Sequence, residues 1–338
     1  MKKVAIAILN WNGADMLRKF LPSVIKYSSY DWVDVYVADN GSTDNSVDVI
    51  STSFPSVRLI KFDRNYGFAE GYNRVINMLD TEYIVLLNSD VEVAEDWIVP
   101  IIEYMDKNPD IAACQPKILS YKDKQYFEYA GASGGYIDKY GYPFCRGRIF
   151  DKLEKDEGQY DSIAEIFWAS GAAMFIRRKV YIEVGGLDSA FFAHMEEIDL
   201  CWRLLSRGYK LACVPQSKVY HVGGATLKKE NPKKTYLNFR NNLLMLYKNL
   251  PSSELNNIMF IRMIFDYIAI VVFLLKFDIS NAKAILKARS DYRKMKKDFI
   301  SVRNKNLSSS RQAEISCIYR FSIVLRNKLN GCNKYSDL

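Results

Sequence analysis

Three carboxylates crowd into four residues at Glu196, Glu197 and Asp199. Acidic side chains favour a helix N-terminus, which accounts for one or two of them. Three at that density repel, and repulsion raises at least one pKa, as a general base requires. Arg203 follows Asp199 by four residues and can hold it across one helical turn. That leaves Glu197 freer to act as a base. Other polar residues stand at the ends of apolar runs. Asp39 and Asp44 flank a Gly-Ser turn, Asn88 and Asp90 follow one run, and His221 closes another. Asp44 reads as an Asx-turn or N-cap residue. Asp39 can accept from a base N–H or a ribose hydroxyl. Asp90 is either a turn residue or a carboxylate for a divalent metal that holds a diphosphate. His221 is either structural or a further metal ligand.

The elements that must position these residues follow from periodicity. Runs at 4–9, 33–38, 57–62 and 83–87 are rich in Val, Ile and Tyr and read as buried parallel strands. Helical spacing near 14–27, 44–53 and 68–79 separates them. This alternation predicts a doubly wound, mostly parallel sheet with helices on both faces. Ligands of such sheets bind beyond the carboxyl ends of the strands. Those ends carry Asn10 and Asn12, then Asp39, then Asn65, then Asn88 and Asp90. Residues 120–165 form a long segment rich in Gly and Tyr, suited to recognition. A strand is expected over 167–176, a helix from 196 and a last strand over 210–220.

Several classes are excluded or disfavoured. No G-x-G-x-x-G follows the first strand, and there is no P-loop. The six cysteines lack metal or redox spacing and read as reduced, buried thiols. The apolar stretch of the N-terminus is too short for a signal segment and reads as the first strand. The net charge of +8 is uneven. Residues 1–250 hold 31 basic and 32 acidic side chains, whereas residues 251–338 hold 16 and 7. The near-neutral part is therefore expected to meet an anionic ligand through a metal, and the basic surplus belongs to the tail.

In order along the chain stand VAIAILNWNG, VADNGSTDNS, NYGFAEGYN, LLNSDVEV, GQYD, SGAAMFIRR, VGGLD, EEIDLCWRLLSRGYK and VYHVGG. Together they resemble family 2 glycosyltransferases of the GT-A fold, in the bacterial rhamnosyltransferase-like subgroup, from Val4 to about Leu250. The resemblance implies a nucleotide-diphosphate sugar as donor, a divalent metal (Mg²⁺ or Mn²⁺) and inversion at the anomeric carbon. It implies that Asn10, Asn12, Asp39, Asn65, Asn88 and Asp90 bind the donor, and that Asp90 and His221 hold the metal. It makes Glu197 the general base, with Asp199 as its neighbour. One position departs from the family pattern, because Asn88 stands where a first aspartate is usual. One fewer carboxylate weakens metal affinity. The alternative reading is a non-catalytic sugar- or nucleotide-binding module on the same fold.

The chain thus divides into a catalytic part, 1–250, and a basic helical tail, 251–338. Residues 258–275 are strongly apolar but carry Arg262 and Asp266, and they read as a buried or interfacial helix rather than a span. Ile285, Ala288, Tyr292, Met295, Phe299 and Val302 recur at helical spacing with lysines off the stripe. They are expected to form one basic amphipathic helix lying on anionic lipid or, alternatively, packed on the catalytic part. Residues 303–338 are expected to be loosely ordered. The combined expectation is an enzyme on the cytoplasmic face of the membrane, extending a saccharide or lipid-linked saccharide for a surface polysaccharide. No nucleic-acid partner is expected.

Overall fold

A computed structural model describes residues 2–223, 231–312 and 314–338. The final glycine of the VYHVGG run, Gly224, lies outside the described residues. The chain opens with β1 (Val4–Asn10), α1 (Ala14–Tyr27), β2 (Val33–Asp39), α2 (Ser46–Ser53), β3 (Arg58–Lys61), α3 (Gly67–Met78) and β4 (Tyr83–Asn88). These match the predicted alternation to within one or two residues. Leu17, Phe20, Leu21 and Val24 form the buried stripe of α1, at the spacing that an amphipathic helix needs to cover a sheet.

Next come β5 (Val91–Val93), α4 (Val99–Lys107), β6 (Ile111–Ser120), β7 (Gly135–Asp138), β8 (Pro143–Cys145), β9 (Arg148–Ile149), β10 (Lys152–Leu153) and β11 (Ala164–Glu165). Then follow β12 (Ala173–Arg177), α5 (Arg178–Glu183), α6 (Glu196–Ser206), β13 (Lys210–His221) and α7 (Pro232–Asn249). The main sheet runs β3-β2-β1-β4-β12-β6-β13-β11, with β5 also on β13. Its first four strands are parallel, as expected, but β12 is antiparallel to both neighbours, so the whole sheet is mixed. The strand expected over 167–176 starts only at Ala173. Residues 169–172 instead form a loop tied to other elements: Ser170 N donates to Gln115 Oε1 (3.0 Å) and Asn88 N donates to Ala172 O (3.0 Å). Two apolar cores fill the faces of the sheet, one including Ile6, Leu21 and Trp97 and the other including Tyr72, Phe167 and Trp202.

The tail is more ordered than its sequence suggests. It holds α8 (Ser252–Leu275), α9 (Ile279–Met295), α10 (Ile300–Ser308), β14 (Ile318–Tyr319) and α11 (Ile323–Asn330). The single helix expected through 302 is broken between α9 and α10. Its apolar stripe does not face outward, because Ile285, Ala288, Tyr292 and Phe299 are all buried in the protein. The reading of that stripe as lipid-facing is therefore corrected in favour of packing. Residues 303–338 are not loosely ordered either. Strand β14 extends the second sheet by pairing with β7, and Tyr319 and Tyr335 pack on Tyr136 and Phe144. Aromatic area of that size is what a short terminal segment needs to stay docked. All six cysteines are free thiols, and all but Cys317 are buried.

A buried ion network joins the tail to the body. Asp266 on α8 meets Arg262 (3.4 Å) and Arg289 of α9. Arg262 also donates to Tyr140 O (2.8 Å) and to the Asn242 side chain. Removing the one carboxylate leaves two buried guanidinium groups without a counter-charge. Asp266→Ala is expected to destabilise the fold by about 3–5 kcal/mol, read as a lower urea midpoint in circular dichroism. A loss below about 1 kcal/mol, as for an exposed pair, would show that the network is open to water.

Candidate active site

Parallel register brings the strand ends together. Asn10 pairs with Asp39 across β1 and β2, and Leu9 pairs with Asn88 across β1 and β4. Asn10 is fully buried. Its Nδ2 reaches Asp39 Oδ1 (3.2 Å) and Ser42 Oγ (3.3 Å), while its Oδ1 has no partner in the protein. Asp39 also accepts from Ser42 N (3.0 Å). The turn that follows needs Gly41, whose φ is +71° and whose missing Cβ would lie 2.5 Å from the Arg64 backbone.

Asn12 and Asn65 occupy a different kind of position. Asn12 Oδ1 accepts from Thr43 N (2.7 Å) and Asp44 N (3.3 Å), so this side chain braces the 42–44 turn. Asp44 forms the expected Asx turn, accepting from Ser46 N (3.0 Å), and also accepts from Ala14 N (3.1 Å); burial pushes its carboxyl up, but the Ser46 hydroxyl and these backbone bonds outweigh it and hold it below the usual range. Asn65 Oδ1 accepts from Gly67 N (2.7 Å) and Asn40 Nδ2 (3.1 Å). Asn40, which sequence reasoning passed over, is the centre of this bracing and also accepts from Tyr66 N (3.0 Å).

Asp90 and His221 do meet. His221 Nε2 lies 3.2 Å from Asp90 Oδ1 and 3.5 Å from Asn88 Nδ2. Its Nδ1 lies 3.2 Å from Oε2 of Glu128, a residue that the motifs did not indicate. Burial favours the neutral ring, but the two carboxylates outweigh it and lift the His221 pKa to about 10. Oxygen and imidazole donors side by side suit a small divalent cation. A carboxylate on the far ring nitrogen is the usual way to orient a ligating histidine. Once the Nε2 proton is displaced, as metal binding requires, these residues fit a cation beside Asp90 and Nε2. Among the described residues no three acid, histidine or cysteine side chains form a ready-made set. Substrate oxygens and water would complete such a shell, as is usual for Mg²⁺.

The acidic cluster opens α6 from an unusual backbone. Phe192, His194 and Met195 all have φ between +67° and +73°, a region costly for side-chain-bearing residues. Helix α7 holds this turn in place. Asn241 Nδ2 donates toward the carbonyls of Phe191 (2.9 Å), Ala193 (2.9 Å) and His194 (2.8 Å), and Arg240 donates to Phe191 O (3.1 Å). His194 is kept neutral, with burial and then Lys234 pushing its pKa down to about 4.

Glu196 is buried and Glu197 half-buried, and each has an Oε2 atom with no partner among the described residues. Burial raises both pKa values, and for Glu196 the neighbouring Glu197 charge adds to the effect. The helix dipole opposes this, but it is worth only about 0.3–1 kcal/mol, less than one pKa unit of about 1.4 kcal/mol. Asp199 is different. It is sealed from solvent and accepts from Lys248 Nζ (2.8 Å), Asn249 Nδ2 (2.8 Å) and Arg203 Nε (3.0 Å), which hold its pKa low against burial. The predicted Asp199–Arg203 pair is present, and Asp199 anchors α6 rather than offering a free oxygen. The loop 169–172 then links the two halves of the site. Ala169 N contacts Cys201 Sγ (3.4 Å), one turn after Glu197, and Ala172 O holds Asn88. Three Cα steps of 3.8 Å keep the ends of that loop within about 11 Å.

The chain matches the model of glycosyl transferase family 2 over residues 5–185. It is 26% identical over 234 residues to an N-acetylglucosaminyl-diphospho-decaprenol L-rhamnosyltransferase of Mycobacterium tuberculosis, covering 64% of this chain and 75% of that protein. It is 25% identical over 163 residues to the Escherichia coli K12 rhamnosyltransferase WbbL, covering 46% and 61%. By structure it resembles S. aureus TarS 1-349 (TM-score 0.57, 11% identity, 91% and 88% covered). It also resembles GalNAc-T7 with UDP, GalNAc and Mn²⁺ (TM-score 0.57, 16% identity), covering 73% of this chain and about half, 48%, of that one. The parallel strand ends, the acidic α6 and these likenesses converge: the chain belongs to glycosyl transferase family 2, is a glycosyltransferase of GT-A fold, and falls in the rhamnosyltransferase-like group.

Proposed function

We propose that this enzyme transfers a sugar, with inversion, from a uridine- or thymidine-diphosphate donor to a lipid-linked saccharide at the cytoplasmic face of the membrane, in surface-polysaccharide synthesis. Rhamnose is the first donor sugar to test. The observation that carries the reading is Glu197. It stands on the first turn of α6 with a raised pKa and an unpartnered Oε2, one short loop from the strand ends. The lipid-linked acceptor rests on the name of the mycobacterial relative.

In this reading Asp39 faces the nucleoside, and buried Asn10 holds the Asp39 carboxylate from behind. Asp90 and His221 hold a divalent cation, which when bound supplies positive charge to the leaving diphosphate. Glu197 accepts the proton of the acceptor hydroxyl as that oxygen bonds to the anomeric carbon. The bond from that carbon to the nucleoside diphosphate breaks, and its electron pair leaves on the phosphate oxygen. No enzyme nucleophile is required. Glu196 and the strained 192–195 turn fix where Glu197 points, and Asp199 fixes the helix that carries it.

Glu197→Gln is expected to lower transfer by about 10²–10⁴-fold while the donor still raises the melting temperature. Full transfer activity in that variant would remove Glu197 from the mechanism. A base must be deprotonated, and a raised pKa keeps Glu197 protonated to higher pH. The acid limb of kcat/KM should therefore lie above the ordinary carboxylate value of about 4.3. A limb at or below that value would point to another base. The metal is tested by donor binding: Mg²⁺ or Mn²⁺ should enlarge the donor-induced melting shift, and Asp90→Asn or His221→Ala should abolish that increment. An increment equal to wild type in both variants would place the cation elsewhere.

A further inference from the structure

Helix α8 is built inside out. Its buried positions, Ile258, Arg262, Asp266 and Ile270, recur every four residues, so the stripe facing the protein carries the charges. The opposite side is apolar and open: Phe260 is 57% exposed, Ile268 and Val271 54% each, and Leu275 75%, with Ile264 and Tyr267 between them. A helix on the surface of a water-soluble domain has the reverse polarity. The apolar face continues past the helix end through Phe277, which is 92% exposed, to Ile279 and Leu286 on α9. Contiguous apolar surface of this kind marks an interaction site.

Charge identifies the occupant. Between residues 260 and 290 the exposed charged side chains are Lys276, Lys283 and Lys287, all basic, and Asp278 is half-buried. Aromatic and aliphatic side chains fringed by lysines match an anionic lipid interface. Helix α8 is long and apolar enough to cross a bilayer by length and composition. Its Arg262–Asp266 pair is nevertheless fully buried and joined to Arg289 of α9, and crossing would take that network into hydrocarbon. We infer that α8 lies flat in the headgroup region of an anionic membrane, through the face of Phe260, Ile264, Ile268, Val271 and Leu275, with Lys276 and Lys283 on phosphate.

The same helix touches the recognition segment. Phe265 packs on Tyr140 (5.5 Å between ring centroids), and Arg262 binds Tyr140 O. Asn242, which receives Arg262, is the chain neighbour of Asn241, which holds the turn before Glu196. The docked face is therefore one layer of side chains from the 140–142 turn. This explains how a lipid-linked acceptor would be met, and to that extent it rests on the proposed function.

Flotation of the full chain with vesicles tests it. The wild type should float with equimolar phosphatidylcholine and phosphatidylglycerol and less with phosphatidylcholine alone. Ile268→Glu/Val271→Glu should lower partitioning at least about ten-fold. Lys276→Gln/Lys283→Gln should lower it about five-fold per lysine, on the anionic vesicles only. Both variants should keep the wild-type donor-induced melting shift, which shows that they are folded. Flotation of the glutamate variant at the wild-type level overturns the proposal. So does a wild type that stays soluble with both vesicles, including the case of a dimer that the glutamate variant splits, in which a second copy covers the face. A chain that floats but does not glycosylate a lipid-linked acceptor leaves the docking in place and overturns the acceptor instead.

Discussion

The carboxylate of Asp199 is sealed from water, and the geometry of the acidic helix depends on how that charge is neutralised. A buried ion without partners costs several kcal/mol, so Lys248, Asn249 and Arg203 must all converge on it. Arg203 spends its remaining donors on the carbonyls of Val184 and Gly186 (2.6 Å each), and Lys248 also binds Asp188 (2.5 Å). One acid thereby gathers the 184–188 turn, α6 and the end of α7. With α6 held at its centre, the strain in the 192–195 turn before it can persist, because Asn241 closes it from the far side. Glu196 and Glu197 are left in a dry, crowded position, where their pKa values rise.

The opposite half of the site is assembled by sheet register. Parallel pairing lines up the ends of β1, β2 and β4, and the loops beyond them are stiffened by side-chain amides rather than by more sheet. Asn12, Asn40 and Asn65 satisfy turn backbone that no strand can reach, and Asn10 holds the Asp39 and Ser42 side chains. Asn12 and Asn65 thus brace the loops beyond the strand ends, whereas Asn10 and Asp39 stand at the ends themselves. His221 arrives from β13 between Asp90 and Glu128, which ties the far strand of the sheet to the β4 end.

The tail is part of the same construction. Arg262 and Arg303 point inward, to Tyr140, Asn242 and the Tyr247 carbonyl, and the tail's apolar side chains point both inward and outward. The basic excess of residues 251–338 is divided accordingly. Arg262, Arg289 and Arg303 are structural and buried, while Lys276, Lys283 and Lys287 are exposed.

Local order and chemistry were legible in the sequence. The period-2 and helical runs located β1 to β4 and α1 to α3, they placed Asp39 and Asp90 at strand ends, and the i, i+4 spacing paired Asp199 with Arg203. Each of these depends on neighbours along the chain or on the rule that ligands sit at strand ends. What lay beyond the sequence depends on contacts between distant segments. Glu128 reaches His221 across 93 residues of chain, and Asn241 reaches the 191–194 carbonyls across nearly 50. The adjacent polar residues Arg240, Asn241 and Asn242, set directly before the apolar run 243–246 of α7, were a hint of such contacts. Tertiary packing also decided which side of an amphipathic pattern faces inward. In α9 the apolar stripe was buried by α7 and α8, and in α8 the charged stripe was buried instead, because Arg289 and Asn242 were there to receive it. Periodicity shows that a helix has two faces, but only the partners brought to it determine which one meets the solvent.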